Sequence, residues 1–308
     1  MKTVLKAFGG IFASAILIVG IIYFIYPGLM VSAVQSLSAS GAGLTKKSIN
    51  LDGYTAHYYE GGDPSQPTLM LLHGLNDDKN SFVTSIRELS LSYHIVLPDL
   101  QAHGENAKTE GRDYSIAGQA QFIKQLSDAL RISQVFIGGN SMGGHTAASF
   151  AARFPANTHG LILLNATGIQ LENESVYVYF PEKIDVQFLK DFFDNAFVTP
   201  PAFPQPVLQH LVNKTNKSIP FINNLIKQVE TGDDFRMNEK AESIKAPTLV
   251  LWGKHDPIVP LSYGELFTKK IPDARLKVFE NAGHSAQFEI PDQLQAELKA
   301  FMESLELG

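Results

Sequence analysis

From Ile49 onward the apolar residues fall into two alternating patterns. Short continuous runs have the length and β-branched content of buried strands: Pro67 to Leu72 (PTLMLL), Ile95 to Leu97, Val135 to Ile137, Leu161 to Leu164, Thr248 to Leu251 and Leu276 to Phe279. Between most of them lie stretches with helical spacing, such as Ile116 to Leu130, where Ile116, Ala120, Ile123, Leu126 and Leu130 share one face. Leu51-Asp52-Gly53-Tyr54-Thr55 reads as strand, turn and strand, an opening hairpin. Continuous apolar strands alternating with helices predict an α/β fold, a mostly parallel sheet covered by helices on both faces.

One stretch breaks the alternation. Gly168 to Ser243 has no strong strand run, carries Pro181, Pro200, Pro201, Pro204 and Pro206, and predicts several short helices with irregular joins. It holds eight of the twenty phenylalanines. That surplus suggests an inserted helical cap, over about 168–244, whose rings either face a substrate or form a small core of their own. Phe188, Phe192, Phe193, Phe197 and Phe203 are the candidate lining residues.

The amino-terminal pattern is of another kind. Ala7 to Tyr26 contains no charged residue, and twenty helical residues span about 30 Å, the thickness of a bilayer hydrocarbon core. Ten of its Ile, Phe, Val and Leu residues each favour insertion by roughly 0.5 kcal/mol, about 5 kcal/mol together. Lys2 and Lys6 precede it and the next lysines are Lys46 and Lys47, so the positive-inside bias places the amino terminus in the cytoplasm and the body across the membrane. A cleaved signal peptide ending near Val31-Ser32-Ala33 is the alternative, with a secreted or periplasmic product, although the apolar run exceeds the usual length of such a core. Residues 1–45 are therefore predicted as one transmembrane helix and a linker, flexible over Ser36 to Gly43, and 46–308 as the globular body.

Composition narrows the chemistry. The chain is 44% hydrophobic and 18% charged with a net charge of −6 and no basic run, which supplies a large core and argues against nucleic acid as a partner. Cysteine is absent, which excludes disulfides, thiolate metal sites and a thiol nucleophile. No zinc-type H-E-x-x-H spacing occurs, and neither metal nor cofactor is expected.

Gly139-Asn140-Ser141-Met142-Gly143 follows the strand Val135 to Ile137 and opens the helical run Met142 to Phe154. This is G-x-S-x-G in a strand–turn–helix setting, which exposes a serine hydroxyl on a tight turn. A serine needs a base to take its proton and a third group to orient the base. Asp256 directly follows the Thr248 to Leu251 strand, and His284 directly follows the Leu276 to Phe279 strand, in the chain order such a fold requires. The other histidines suit structural roles: His57, His94 and His159 on or beside strands, His145 packed in a helix, His210 in the insert, His255 pointing away from its acid neighbour, and His73 and His103 shaping loops. Two backbone N–H groups are needed to hold an oxyanion, and Met142 and Leu75 are the candidates.

Together these residues resemble the α/β-hydrolase superfamily, from about Ile49 to the carboxyl end: His73-Gly74, Asp99 with His103-Gly104, the Ser141 elbow, Trp252-Gly253-Lys254 before Asp256, and Gly283-His284 followed by Glu289 and Pro291. Within it the chain looks most like the membrane-anchored monoacylglycerol lipase and bacterial lipase group. Ala102, where the family commonly has glycine, and Glu105-Asn106 depart from the pattern. The resemblance implies a serine carboxylic-ester hydrolase acting on a lipid ester at a membrane, without a cofactor. A small-ester or carbon–carbon bond hydrolase of the same fold, and a non-catalytic binding protein on this scaffold, are the alternatives.

Overall fold

The computed structural model describes residues 26–170 and 177–306. The predicted membrane segment Ala7 to Tyr26 therefore lies outside the described residues except for Tyr26, and among the described residues no helix is long and apolar enough to cross a membrane. The first element is helix α1, Pro27–Gly41, with proline in its first turn, where a missing N–H costs nothing. This corrects the flexible linker expected over Ser36 to Gly43. The small residues there serve close packing, with Ala39 and Ala42 buried, and Gly43 at φ +72° turns the chain into the first strand.

Strands β1 (Leu44–Leu51) and β2 (Tyr54–Gly61) form the predicted hairpin. Asp52 and Gly53 both have positive φ, 49° and 85°, as a two-residue turn matched to strand twist needs. There follow β3 (Thr68–Leu72), β4 (His94–Pro98), α2 (Ile116–Ala129), β5 (Val135–Asn140), α3 (Met142–Arg153) and β6 (Thr158–Leu164). After the insert come β7 (Thr248–Gly253), α6 (Leu261–Lys270), β8 (Ala274–Phe279), the short α7 (Ala286–Glu289) and α8 (Pro291–Glu306).

The eight strands form one sheet in the order β1-β2-β4-β3-β5-β6-β7-β8. The β1–β2 and β2–β4 pairs are antiparallel and the rest parallel, so the mostly parallel α/β sheet is present. Every residue of β3, β4, β5 and β7 is buried, which explains their unbroken apolar runs. Alternate side chains feed two layers. Met70 and Leu72 join Phe122, Phe150 and Trp252 on one face, while Leu69 and Leu71 join Leu298, Phe301 and Met302 on the other. From β3 the chain moves outward to β4 and then crosses back to β5 on the other side, so the loops leaving β3 and β5 part at their carboxyl ends. Such a switch point is where open α/β sheets place their ligands.

Between β6 and β7 the structure differs from the expected run of short helices. Its described residues form an α-helix of 11 residues, α4 (Val186–Ala196), one of 27, α5 (Gln205–Thr231), and a single 3-10 turn at Lys240–Ser243. Pro204 and Pro206 lie at the start of α5, where they are compatible with a helix, while Pro220 is accepted inside it. Asparagines on α5 fasten the irregular chain beside it. Asn216 both accepts from and donates to the backbone of Ile184, at 2.8 and 2.9 Å, and Asn223 does the same for Phe180, at 2.8 and 2.8 Å.

Candidate active site

The turn after β5 is strained in the way its sequence demands. Ser141 has φ 55° and ψ −120°, a conformation that costs a residue with a side chain about 1–3 kcal/mol. The glycines around it have no room for a Cβ, since one on Gly139 would meet Leu72 O at 2.5 Å and one on Gly143 would meet it at 2.1 Å. The elbow is thus pressed onto the end of β3. Ser141 N–H donates to Leu164 O (3.1 Å), and its carbonyl receives Thr167 N–H (3.2 Å) and His145 N–H (3.0 Å).

Asp256 and His284 meet at the same edge. His284 Nδ1 lies 2.8 Å from Asp256 Oδ2, with both residues buried. Asp256 Oδ1 accepts from Ile258 N–H (2.8 Å) and Val259 N–H (2.9 Å), and Oδ2 also accepts from Asn165 Nδ2 (2.7 Å). Four donors hold this carboxylate in one orientation. Donation of the Nδ1 proton to Asp256 leaves Nε2 as the basic nitrogen.

The His284 backbone is fixed from two further sides. Its carbonyl accepts from Asn140 Nδ2 at 3.0 Å, which ties it to the residue before Ser141. Its N–H donates to Ala196 O at 2.9 Å, the last residue of α4. Asn140, Asn165 and Ala196 were not singled out from the sequence. The two asparagines carry a usable signal, since each is a polar residue closing an otherwise apolar strand, and a buried amide there requires partners. Ala196 acts through its carbonyl and leaves no such trace.

The loop after β3 lies against the elbow, where a Cβ on Gly74 would come 3.5 Å from Ser141 Cβ. Leu75 follows in that loop and is half-buried, while Met142 is the buried first residue of α3. Of the two candidate oxyanion donors, Met142 adjoins the serine at the positive end of a helix, and Leu75 follows the glycine that lies against it. His73 shapes the loop, as expected, with Nδ1–H donating to Gly74 O (2.8 Å) and Nε2 accepting Leu100 N–H (3.0 Å).

The next loop is built around Asp99, which accepts from Lys79 Nζ (2.6 Å), Lys79 N–H (2.8 Å) and Glu105 N–H (3.0 Å). The departures from the family pattern are absorbed here. Ala102 takes φ 62° without a glycine, and Asn106 bonds the carbonyls of Asp99 (2.6 Å) and Leu100 (3.1 Å). His103 donates to Gln101 O (2.9 Å), and burial lowers its imidazole to about 3. His145 is likewise a packed residue, held between Tyr177 OH (3.2 Å) and Asp234 O (2.7 Å), and burial lowers it to about 4. His94 joins Thr68 (3.0 Å) to Glu60 (2.8 Å).

Four of the candidate lining residues form one ring cluster, in which Phe193 touches Phe192, Phe197 and Phe203 at centroid distances of 6.0, 6.0 and 5.5 Å. Phe197 reaches on to Phe288 (6.4 Å), four residues beyond His284. Phe188 is apart, against Phe180 (6.2 Å). Within the cluster Phe192 and Phe203 are exposed and Phe193 and Phe197 half-buried, so one side of it faces outward, and Phe188 is exposed as well. Phe288 also lines a groove of about 880 Å³ that runs between α1, α5 and the loop containing Asn76 and Asp77. No cluster of side chains suited to a metal ion occurs among the described residues.

Residues 67–291 match the family described as alpha/beta hydrolase fold. Lipase 1 of Psychrobacter immobilis is 30% identical over 265 residues, 81% of each chain. Monoacylglycerol lipase ABHD6 of Bos taurus is 25% identical over 96% of this chain and 94% of its own. Among solved structures, a membrane phospholipase A described as a bacterial virulence factor superposes with a TM-score of 0.85 at 27% identity, covering 100% of both chains. A putative lipase from Acinetobacter baumannii superposes with a TM-score of 0.82 at 25% identity, covering 90% of this chain and 96% of that one. With that match, the strained serine turn and the strand order, the chain belongs to the α/β-hydrolase fold family.

Proposed function

We propose that the protein is a serine carboxylic-ester hydrolase that acts on membrane lipid esters of the monoacylglycerol type. The observation that carries the reading is the 2.8 Å bond between His284 Nδ1 and Asp256 Oδ2, beside a serine held at positive φ. Nε2 of His284 takes the Ser141 proton as Oγ attacks the ester carbonyl, and Asp256 stabilises the imidazolium. The N–H groups of Leu75 and Met142 hold the tetrahedral oxyanion. Its collapse breaks the ester bond, and the leaving alcohol receives the proton from His284. Water then attacks the acyl-enzyme, giving its proton to His284, and release of the fatty acid returns that proton to Ser141.

Support for a lipid comes from three directions: the uncharged segment ahead of Tyr26, the outward aromatic cluster, and the lipase names of the relatives. The proposed arrangement is a single-pass protein with its amino terminus in the cytoplasm. Phe192, Phe193, Phe197 and Phe203 sit at the proposed acyl entrance, with Phe188 further out. The test is hydrolysis of a long-chain monoacylglycerol against a short soluble ester by full-length protein and its Ser141→Ala variant in mild detergent. Turnover of the monoacylglycerol that disappears in the variant is the expected result. Turnover of the short ester alone overturns the lipid assignment, and unchanged turnover by the variant overturns the serine mechanism.

A further inference from the structure

Helix α4 packs on α5 near its start, through Val186 and Leu189, and meets the His284 loop at its end. Ala196 is its only buried residue, and that residue's carbonyl accepts two N–H groups of the base loop, His284 at 2.9 Å and Ser285 at 3.2 Å. The same junction has a second tie. Glu289, half-buried at the end of α7, accepts from Gly283 N–H through Oε2 at 2.7 Å. Its Oε1 accepts from Val198 N–H at 2.6 Å and Thr199 N–H at 3.4 Å, in the chain leaving α4. The contact is close enough that a Cβ on Gly283 would lie 2.9 Å from Ala196 O. One carboxylate thus grips both sides of the joint between the insert and the residue before His284.

We propose that Glu289 is a positioning residue for the base, fastening α4 to the His284 loop so that the insert sets where His284 sits. The assignment rests on the reading of His284 as the base of Ser141. Charge-assisted bonds to backbone N–H groups are short and directional. A misplacement of a reacting group by about 1 Å costs on the order of 100-fold in rate. Without Glu289, α4 keeps its Ala196 contact but loses the lateral tie that fixes its angle to the loop.

The experiment compares full-length wild type with Glu289→Ala, Glu289→Gln and Val198→Pro, using a short nitrophenyl ester and labelling by a small fluorophosphonate, each rate normalised to the folded fraction. Glutamine keeps the size of Glu289 but turns an NH2 toward one of the backbone donors, so it breaks one side of the tie. Val198→Pro removes the shorter of the two bonds on the insert side and leaves the 3.4 Å one from Thr199, and Phe197 before it already has the extended φ −128°, ψ 143° that a following proline favours. The expected result is a ten- to hundred-fold fall in kcat and in labelling rate for Glu289→Ala. KM stays within about twofold, Val198→Pro falls similarly, and Glu289→Gln lies between. A Val198→Pro variant with wild-type rates overturns the proposal, because the insert then does not set the base. So does a rise in KM with kcat unchanged, or rates per folded molecule that do not move. A wild type that itself resists the fluorophosphonate overturns the serine-hydrolase reading together with the proposal.

Discussion

Asn165 donates its side-chain amide to Asp256 Oδ2 at 2.7 Å, the same oxygen that faces His284 Nδ1. The Oδ1 of the same amide accepts from Gly253 N–H at 3.4 Å, and Asn165 takes φ 46° just beyond β6. The acid thus depends on a neighbouring strand for its orientation. Asn165→Leu keeps the volume and removes a hydrogen bond to a charged group, which is worth about 1.5–3 kcal/mol. We expect kcat on a soluble ester to fall at least about tenfold with KM little changed, read by steady-state kinetics.

Ser141 presents the reverse trade between strain and chemistry. Ser141→Gly should abolish turnover, with losses on the order of 10⁶ for such nucleophiles, while relieving the positive φ. Relief of about 1 kcal/mol or more offsets the extra freedom glycine gives the unfolded chain. The expected denaturation midpoint is therefore equal to or above that of wild type, and Ser141→Ala should lie below the glycine variant.

Asp234 joins the end of the insert to helix α3. Its buried carboxylate is bound by Arg153, Lys240 and Ser149, the last at 2.5 Å. Burial pushes its pKa up, but the bonds from Arg153, Lys240 and Ser149 outweigh it and hold the group at about 2, below the usual 3.8. A lowered folded-state value means a contribution that is complete above about pH 4–5 and is lost as pH falls toward 2, about 2 kcal/mol in all. Asp234→Asn tolerates the positive φ of 67°. Its stability deficit should be full at pH 7 and shrink steadily below pH 4 in chemical denaturation.

Lys79 is almost wholly buried, at 4% side-chain exposure, against an Asp99 carboxylate at 0%. Burial opposes its charge, yet Asp99 and Glu105 outweigh it and raise the ammonium above its ordinary range. Lys79→Met leaves Asp99 buried without its cation, a change that typically costs about 3–5 kcal/mol. The backbone donors of Lys79 and Glu105 remain, so the loss should fall at the lower end, measured by urea denaturation.

The strands, the serine turn and the pairing of Asp256 with His284 were legible because each is encoded locally. Apolar runs report burial, and Asp256 and His284 each stand just beyond a strand. What the sequence hid depends on distant partners. Asn165 reaches a residue 91 positions away, and Ala196 acts through a backbone atom that any residue possesses. The small residues of Ser36 to Gly43 read as a linker because size is ambiguous: Ala39 and Ala42 are small in order to pack. The insert read as short helices because its prolines look like breaks, whereas Pro204 and Pro206 fall at the start of α5, where a helix accepts them.

The hold of Ala196 on His284 has a consequence for how such an enzyme could diversify. An insert between two strands looks like an exchangeable module, able to change what enters without touching what reacts. Here its helix ends on the backbone of His284, so a foreign insert would bring a new resting place for that residue. Substrate range and turnover number would then be inherited together, and a chimera would need the α4 terminus of its host to keep the host's rate.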